Sequence, residues 1–261
     1  MLNNFHSARF EISAAKLSQC PGASVPEVAF VGRSNAGKST AINTLCNHRQ
    51  LAYASRTPGR TQLLNFFTVQ HDGQTIARLV DLPGYGFAQV SRDEKGAWDS
   101  ELGSYLTERP SLVGCVIIAD ARRGLLPLDW GMINWLAPRR TPVHVVLSKV
   151  DKLTNQEKAI VLRDTRKALE PVNAQGQRAT VQLWSALKKS GLTELEDLLR
   201  GWVMPPESGI GTDMPADPAN PAGATGPISQ SASASRSGAD EPSSTAQTKP
   251  SNKPELPSEP A

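Results

Sequence analysis

The segment Gly32-Arg33-Ser34-Asn35-Ala36-Gly37-Lys38-Ser39 constrains this chain more than any other. It has the form G-x-x-x-x-G-K-[ST] and follows directly on the apolar run Val28-Ala29-Phe30-Val31. A strand that passes through two glycines into a helix turns its backbone N–H groups inward and adds the positive end of a helix dipole, which makes a cradle for a polyphosphate. In that cradle Lys38 reaches the β- and γ-phosphates, the Ser39 hydroxyl is a ligand for Mg²⁺, and Thr40 completes the first helical turn. An accidental match is expected about once in a hundred chains of this length. The loop predicts a nucleoside triphosphate and is silent about the base.

Three further segments narrow the chemistry. The run Ile76-Ala77-Arg78-Leu79-Val80 ends in Asp81-Leu82-Pro83-Gly84, a D-x-x-G at the carboxyl end of a strand, where ligands of α/β sheets bind. Asp81 can hold Mg²⁺ through water, and Gly84 lets a backbone N–H approach a γ-phosphate and sense its presence. Ser148-Lys149-Val150-Asp151 follows another predicted strand. The Asp151 carboxylate can accept two parallel hydrogen bonds from guanine N1–H and its 2-amino group, a donor pair that adenine lacks. Lys149 lays its stem along the base, and Ser148 ties the segment to the phosphate loop. Trp184-Ser185-Ala186 can present a backbone N–H to guanine O6.

Apolar runs alternate with stretches of helical periodicity, which predicts an α/β fold with helices on both faces of a mostly parallel sheet. The runs predict six strands, near Glu27–Val31, Leu63–Val69, Thr75–Asp81, Val113–Asp120, Val143–Leu147 and Thr180–Leu183. His71-Asp72-Gly73 is too short for a crossover helix and carries a turn signal, so the second and third predicted strands form one antiparallel hairpin. Helices are predicted near Lys38–Asn47, Asp93–Arg109, Asp129–Trp135, Asn155–Leu169 and Leu192–Trp202. Thr154 and Glu157 make a capping box for the fourth.

Composition divides the chain. Residues 205–261 hold 11 of the 20 prolines, no aromatic residue, and 3 Lys+Arg against 7 Asp+Glu, so they cannot bury a core and are expected to be a disordered acidic tail. Residues 1–204 keep 25 basic against 18 acidic side chains, a charge of +7, and read as one basic domain. Cys20, Cys46 and Cys115 lie too far apart for a disulfide framework or zinc site. With no readable signal peptide and no apolar run of spanning length, a cytoplasmic monomer without membrane contact is expected.

Phosphate loop, D-x-x-G, lysine–aspartate base reader and Ser-Ala segment, in this order, resemble the Ras-like G domains of translation-factor-related GTPases. The match is closer to the EngB (YihA/YsxC) family of ribosome-biogenesis GTPases. It rests on residues 26–39, on Thr57-Pro58-Gly59-Arg60-Thr61-Gln62, on Leu64-Asn65-Phe66-Phe67 and on Asp81-Leu82-Pro83-Gly84-Tyr85-Gly86. The resemblance spans about Phe10 to Trp202 and leaves out the tail. It implies switch I at about 54–65, with Gly59, Arg60 and the Mg²⁺ ligand Thr61, and switch II at about 81–93. It also implies GTP and GDP as ligands, large-subunit ribosomal precursors and their rRNA as partners, and a role needed for cell division and septation. Ser148 departs from the pattern, which has Thr or Asn there.

Tyr85 stands where many GTPases of this fold carry a water-orienting glutamine, so unassisted hydrolysis is expected at or below the ~10⁻⁴ s⁻¹ of a Ras-type domain. K⁺ held by Asn35 is one candidate for the missing charge, as in K⁺-activated relatives that this loop resembles; Arg56 and Arg60 are others. Basic pairs at Arg122-Arg123, Arg139-Arg140 and Lys188-Lys189 suit an anionic partner. A small-molecule kinase would need a lid of clustered arginines and no Asp151. A non-catalytic guanine-nucleotide-binding module on the ribosome is the alternative that Tyr85 keeps open.

Overall fold

The apolar runs become strands of one sheet in a computed structural model that describes residues 4–52, 63–85 and 101–204. The strands are β1 (Arg9–Ala14), β2 (Glu27–Gly32), β3 (Leu64–His71), β4 (Gln74–Asp81), β5 (Leu112–Asp120), β6 (Val143–Ser148) and β7 (Ala179–Leu183), in the spatial order β1-β3-β4-β2-β5-β6-β7. β3 runs antiparallel to both its neighbours, and every other pairing is parallel. The turn between β3 and β4 is built on Asp72 and Gly73, both at positive φ (49° and 78°), the twist a two-residue hairpin requires.

The sheet therefore has seven strands among the described residues, and the prediction of six is corrected by β1. That strand lies at the sheet edge, and its register on β3 shifts between Phe10 and Ile12, which leaves these two side chains 57% and 41% exposed. An edge strand with little to bury carries a weak apolar signal.

The helices are α1 (Lys38–Leu45), α2 (described over residues 101–108), α3 (Pro127–Leu136), α4 (Asn155–Ala174) and α5 (Leu192–Val203). Alternation along β2 divides the core in two. Val28 and Phe30 pack with Ile42 and Leu45 of α1 and Leu195 and Leu199 of α5. Ala29 and Val31 face the other layer, with Leu102 and Leu106 of α2, Met132 and Ile133 of α3 and Leu169 of α4. α5 comes so close that a Cβ on Gly114 of β5 would collide with the ring of Trp202. The Thr154–Glu157 capping box forms, with Glu157 Oε2 2.7 Å from the Thr154 N–H. α4 runs five residues past its predicted end because Pro171, in an exposed last turn, removes only one backbone donor.

At the edge where β2 begins, Glu27 is wholly buried. It accepts from Arg109 Nε at 2.9 Å and from Tyr105 Oη at 3.1 Å. Beside it Arg78 grips Glu11 of β1 through two nitrogens, at 2.7 and 3.0 Å, and Gly22 O at 2.9 Å. These ion pairs tie α2 and the amino-terminal segment to the sheet and leave its opposite, carboxyl edge to the loops of the candidate site.

Candidate functional site

β2 ends at Gly32, and residues 33–37 turn the chain into α1, with Asn35 at φ 63° and Gly37, the helix N-cap, at φ 104°. The first turn of α1 has no intrahelical acceptors for its N–H groups, so Lys38, Ser39 and Thr40 begin a helix whose free donors and dipole face the loop. Lys38 Nζ donates to the carboxylate of Asp81, the last residue of β4. Asp81 is 4% exposed; burial pushes its carboxyl up, and the Lys38 ammonium pulls against that. Leu82 N–H donates to Phe30 O at 3.0 Å, which carries Leu82, Pro83 and Gly84 alongside the start of the phosphate loop.

The second half of the site comes from the carboxyl ends of β6 and β7. Ser148 is buried and donates to Ala36 O at 2.5 Å, the tie-back expected from the sequence. Lys149, at φ 61°, spans from Asn35 O (2.6 Å) to the carboxylate of Asp120 (3.1 Å). Asp151 accepts from the Ser185 hydroxyl at 2.7 Å, and that bond holds its carboxyl below the usual carboxylate range. Val150 N–H donates to Trp184 O at 3.2 Å, and Ser185 N–H to Ser190 O at 3.1 Å. The loop with Ala186 is thereby fastened to the Asp151 loop. The Trp184 ring is buried in the core beside α1 and α5, so this residue offers the site only its backbone.

The phosphate loop, Asp81, the Ser148–Asp151 loop and the Ser185 loop thus meet at one edge of the sheet. Gly59, Arg60 and Thr61, with most of switch I, lie outside the described residues, as does switch II beyond Tyr85. Two acidic positions carry no signal of their own in the motifs above. Asp120 accepts from Arg122 (Nε at 2.9 Å) as well as from Lys149, and those bonds hold its carboxyl low. Asp129 receives the phenol of Tyr85. A cleft of about 240 Å³ beside the phosphate loop is lined by Arg33, Ser34, Asn35, Asp120, Arg122 and Lys149, among others. The position of Asp120 at the carboxyl end of β5 was the available signal. Of the basic pairs, Arg122-Arg123 has Arg122 bound to Asp120 and Arg139-Arg140 has Arg139 donating to Arg109 O at 2.7 Å, so one arginine of each of these two is engaged within the fold.

Comparison with known proteins agrees with this geometry. A family model described as a 50S ribosome-binding GTPase matches residues 27–149. A probable GTP-binding protein EngB of Burkholderia cenocepacia (strain HI2424) is 50% identical over 202 residues, which is 77% of this chain and 92% of that protein. The protein of the same name from Burkholderia pseudomallei (strain 1106a) gives the same figures. Among solved structures, Era in complex with MgGDPNP and nucleotides of 16S ribosomal RNA superposes with a TM-score of 0.54 at 24% identity, covering 73% of this chain and 60% of that one, a likeness of fold. With the phosphate loop and its partners assembled as above and half of 202 aligned residues shared with curated relatives, the chain belongs to the EngB family of GTP-binding proteins.

Proposed function

We propose that the chain is a GTP-hydrolysing switch, slow when unassisted, whose nucleotide state controls binding to large-subunit ribosomal precursors and which normal cell division and septation require. GTP hydrolysis is the general reaction of its family. The observation that carries guanine recognition is Asp151. Its loop is bound to the phosphate loop through Ser148 and Lys149, so a base held by Asp151 and phosphates held by residues 32–39 belong to one ligand. Titration with fluorescent GDP and non-hydrolysable GTP and ATP analogues in Mg²⁺ tests this. Guanine-only binding is expected, and equal ATP binding would overturn it.

The donor set suits Mg²⁺, a hard cation that takes oxygen ligands. The Ser39 hydroxyl stands in the first turn of α1, and Asp81 is drawn to that turn by Lys38. Ser39 and Thr61 would hold the ion directly and Asp81 through water. Bound Mg²⁺ supplies positive charge to the phosphate oxygens. Lys38, at the first position of α1, would meet the phosphates, and Gly84, beside the phosphate loop, would offer its N–H to the γ-phosphate. K⁺ at Asn35 is proposed to supply further charge, and equal hydrolysis rates in KCl and NaCl would remove it.

Ribosomal RNA as partner is supported by the +7 charge of residues 1–204 and by the description of the matching family model. Binding should weaken steeply with salt and differ between the GTP- and GDP-bound forms. Residues 205–261 are proposed to be a disordered tail in a cytoplasmic, monomeric protein, so that residues 1–204 alone bind nucleotide as the full chain does. The engagement of the Tyr85 phenol by Asp129 favours a second reading, a nucleotide-dependent ribosome-binding module in which hydrolysis is incidental. Turnover stimulated by ribosomal subunits separates the two, since a passive module shows none.

A further inference from the structure

Tyr85 immediately follows Gly84, and it is fastened on two sides. Its side chain is 6% exposed, lies in the core beside α3, and donates its phenol to one carboxylate oxygen of Asp129. Asp129 is 1% exposed, and its other oxygen accepts the Leu126 N–H at 2.7 Å, capping α3. The carboxylate therefore has no freedom to follow a moving phenol. On the main-chain side, Tyr85 pairs with Arg33 in an isolated parallel bridge and its carbonyl accepts from the Ser34 N–H at 3.4 Å. Between these anchors Gly84 lies so close to the phosphate loop that a Cβ there would stand 3.3 Å from Gly32 O and 3.5 Å from Ser34 N.

We propose that Asp129 is a positioning residue for the nucleotide switch: through Tyr85 it parks the Gly84 turn against the phosphate loop and so sets how strongly the site prefers GTP over GDP. The proposal rests on Gly84 as the γ-phosphate sensor. A diphosphate makes no demand on that turn, whereas a triphosphate must draw the Gly84 N–H toward its terminal phosphate. A bond made only in the parked arrangement subtracts from triphosphate affinity and leaves diphosphate affinity untouched, because a ligand shifts an equilibrium only by its differential affinity for the two states. The phenol serves as a stable anchor, since burial next to a carboxylate pushes its ionisation far above the usual tyrosine range and keeps it a donor. The tether also joins the sensing turn to the loop of Arg122 and Arg123, which leads into α3.

The test uses the full chain with Tyr85→Phe, which keeps the ring and removes the bond, and Asp129→Asn, whose oxygen still accepts from Leu126 while its amide can only donate to the phenol, so that a neutral bond of reversed direction replaces a charge-assisted one. Affinities for fluorescent GDP and for a fluorescent non-hydrolysable GTP analogue are measured in Mg²⁺. Tyr85→Phe should shift the ratio about five- to tenfold toward the GTP analogue, the scale of one hydrogen bond, and Asp129→Asn should shift it in the same direction by less, with GDP affinity unchanged within about twofold in both on the same argument. Parallel loss of both affinities, an unchanged ratio, or a shift toward GDP overturns the proposal. If the unaltered chain bound neither guanine nucleotide, the switch reading itself would fail and take this inference with it; variants that track the unaltered chain sink the inference alone.

Discussion

Lys38 and Asp81 are bonded to each other across the ends of α1 and β4, so the side chain proposed to meet the phosphates and the one proposed to face the magnesium lie within reach of each other. Lys38→Ala removes the charge that meets the phosphates and is expected to weaken GDP binding about a hundredfold or more, the value of one to two charge-assisted hydrogen bonds. Fluorescent GDP titration measures it. Unchanged affinity contradicts the phosphate-loop assignment.

Asp151→Asn replaces a double acceptor with one acceptor and one donor. Guanine then faces a mismatched amide, while xanthine, which carries a carbonyl in place of the 2-amino group, is matched. Selectivity should move toward xanthine nucleotides by tenfold or more, about the value of one satisfied polar pair. The Asn oxygen still accepts from Ser185, so the loop keeps its brace. Competition between GDP and XDP reads the outcome, and undiminished guanine preference removes Asp151 from base recognition.

The legible part of this molecule was the part whose chemistry is local. Gly32 to Ser39, Asp81 to Gly84 and Ser148 to Asp151 are contiguous segments whose residue types have few other uses, and their position after apolar runs placed them at strand ends. The hairpin followed from Asp72-Gly73, and the cap of α4 from Thr154 and Glu157. Contacts between distant segments were not legible. Nothing adjacent to Tyr85 marks Asp129 as its partner, 44 positions away, and the grip of Lys149 on Asp120 depends on β5 and β6 lying side by side. β1 was missed because Arg9 and Glu11 interrupt a short run in which Phe10 and Ile12 remain exposed and only Ala14 is buried.

The buried ion pair at the other edge of the sheet bears on stability rather than on nucleotide. Glu27→Ala leaves the Arg109 guanidinium, 8% exposed, without its carboxylate, and strips Tyr105 of its acceptor. A loss of about 3–5 kcal/mol is expected from breaking one partner of such a pair. Urea unfolding followed by circular dichroism measures it, and a loss under about 1 kcal/mol would show the pair to be no more than a solvated surface bridge.

His144 gives the fold a pH dependence of known sign. Burial holds its imidazole down to about 4, against an ordinary 6.5. The neutral ring suits its place between β6 and β7: the Gln182 oxygen is 2.9 Å from Nε2, and the Gln182 amide is turned away by its bond to Gly191 O at 2.7 Å. Nε2 therefore donates, and Nδ1 accepts from the Thr180 hydroxyl at 2.7 Å. Between pH 6.5 and 4 the unfolded chain binds more protons here than the folded one. Stability from this group is complete above the upper value and falls as pH drops, by about 3 kcal/mol in all. Unfolding at pH 7.5 and pH 4.5 should show a smaller difference in His144→Gln than in the unaltered protein. Equal pH slopes would assign the effect elsewhere.

The packing of α5 on α1 orders events in time as the chain is made. Ile42 and Leu45, on the helix that opens from the phosphate loop, are covered by Leu195 and Leu199. The phosphate loop therefore leaves the ribosome early, while the layer that braces its helix is among the last parts of the domain to emerge. A nascent chain carries the phosphate loop long before the helix that covers α1 has been made, and domains generally fold as units once their packing partners are present. Loss of the final helical turns would remove Leu199 and Val203 from the layer that packs on Ile42 and Leu45, a cost that falls on the helix that opens from the phosphate loop although no residue of that loop is touched.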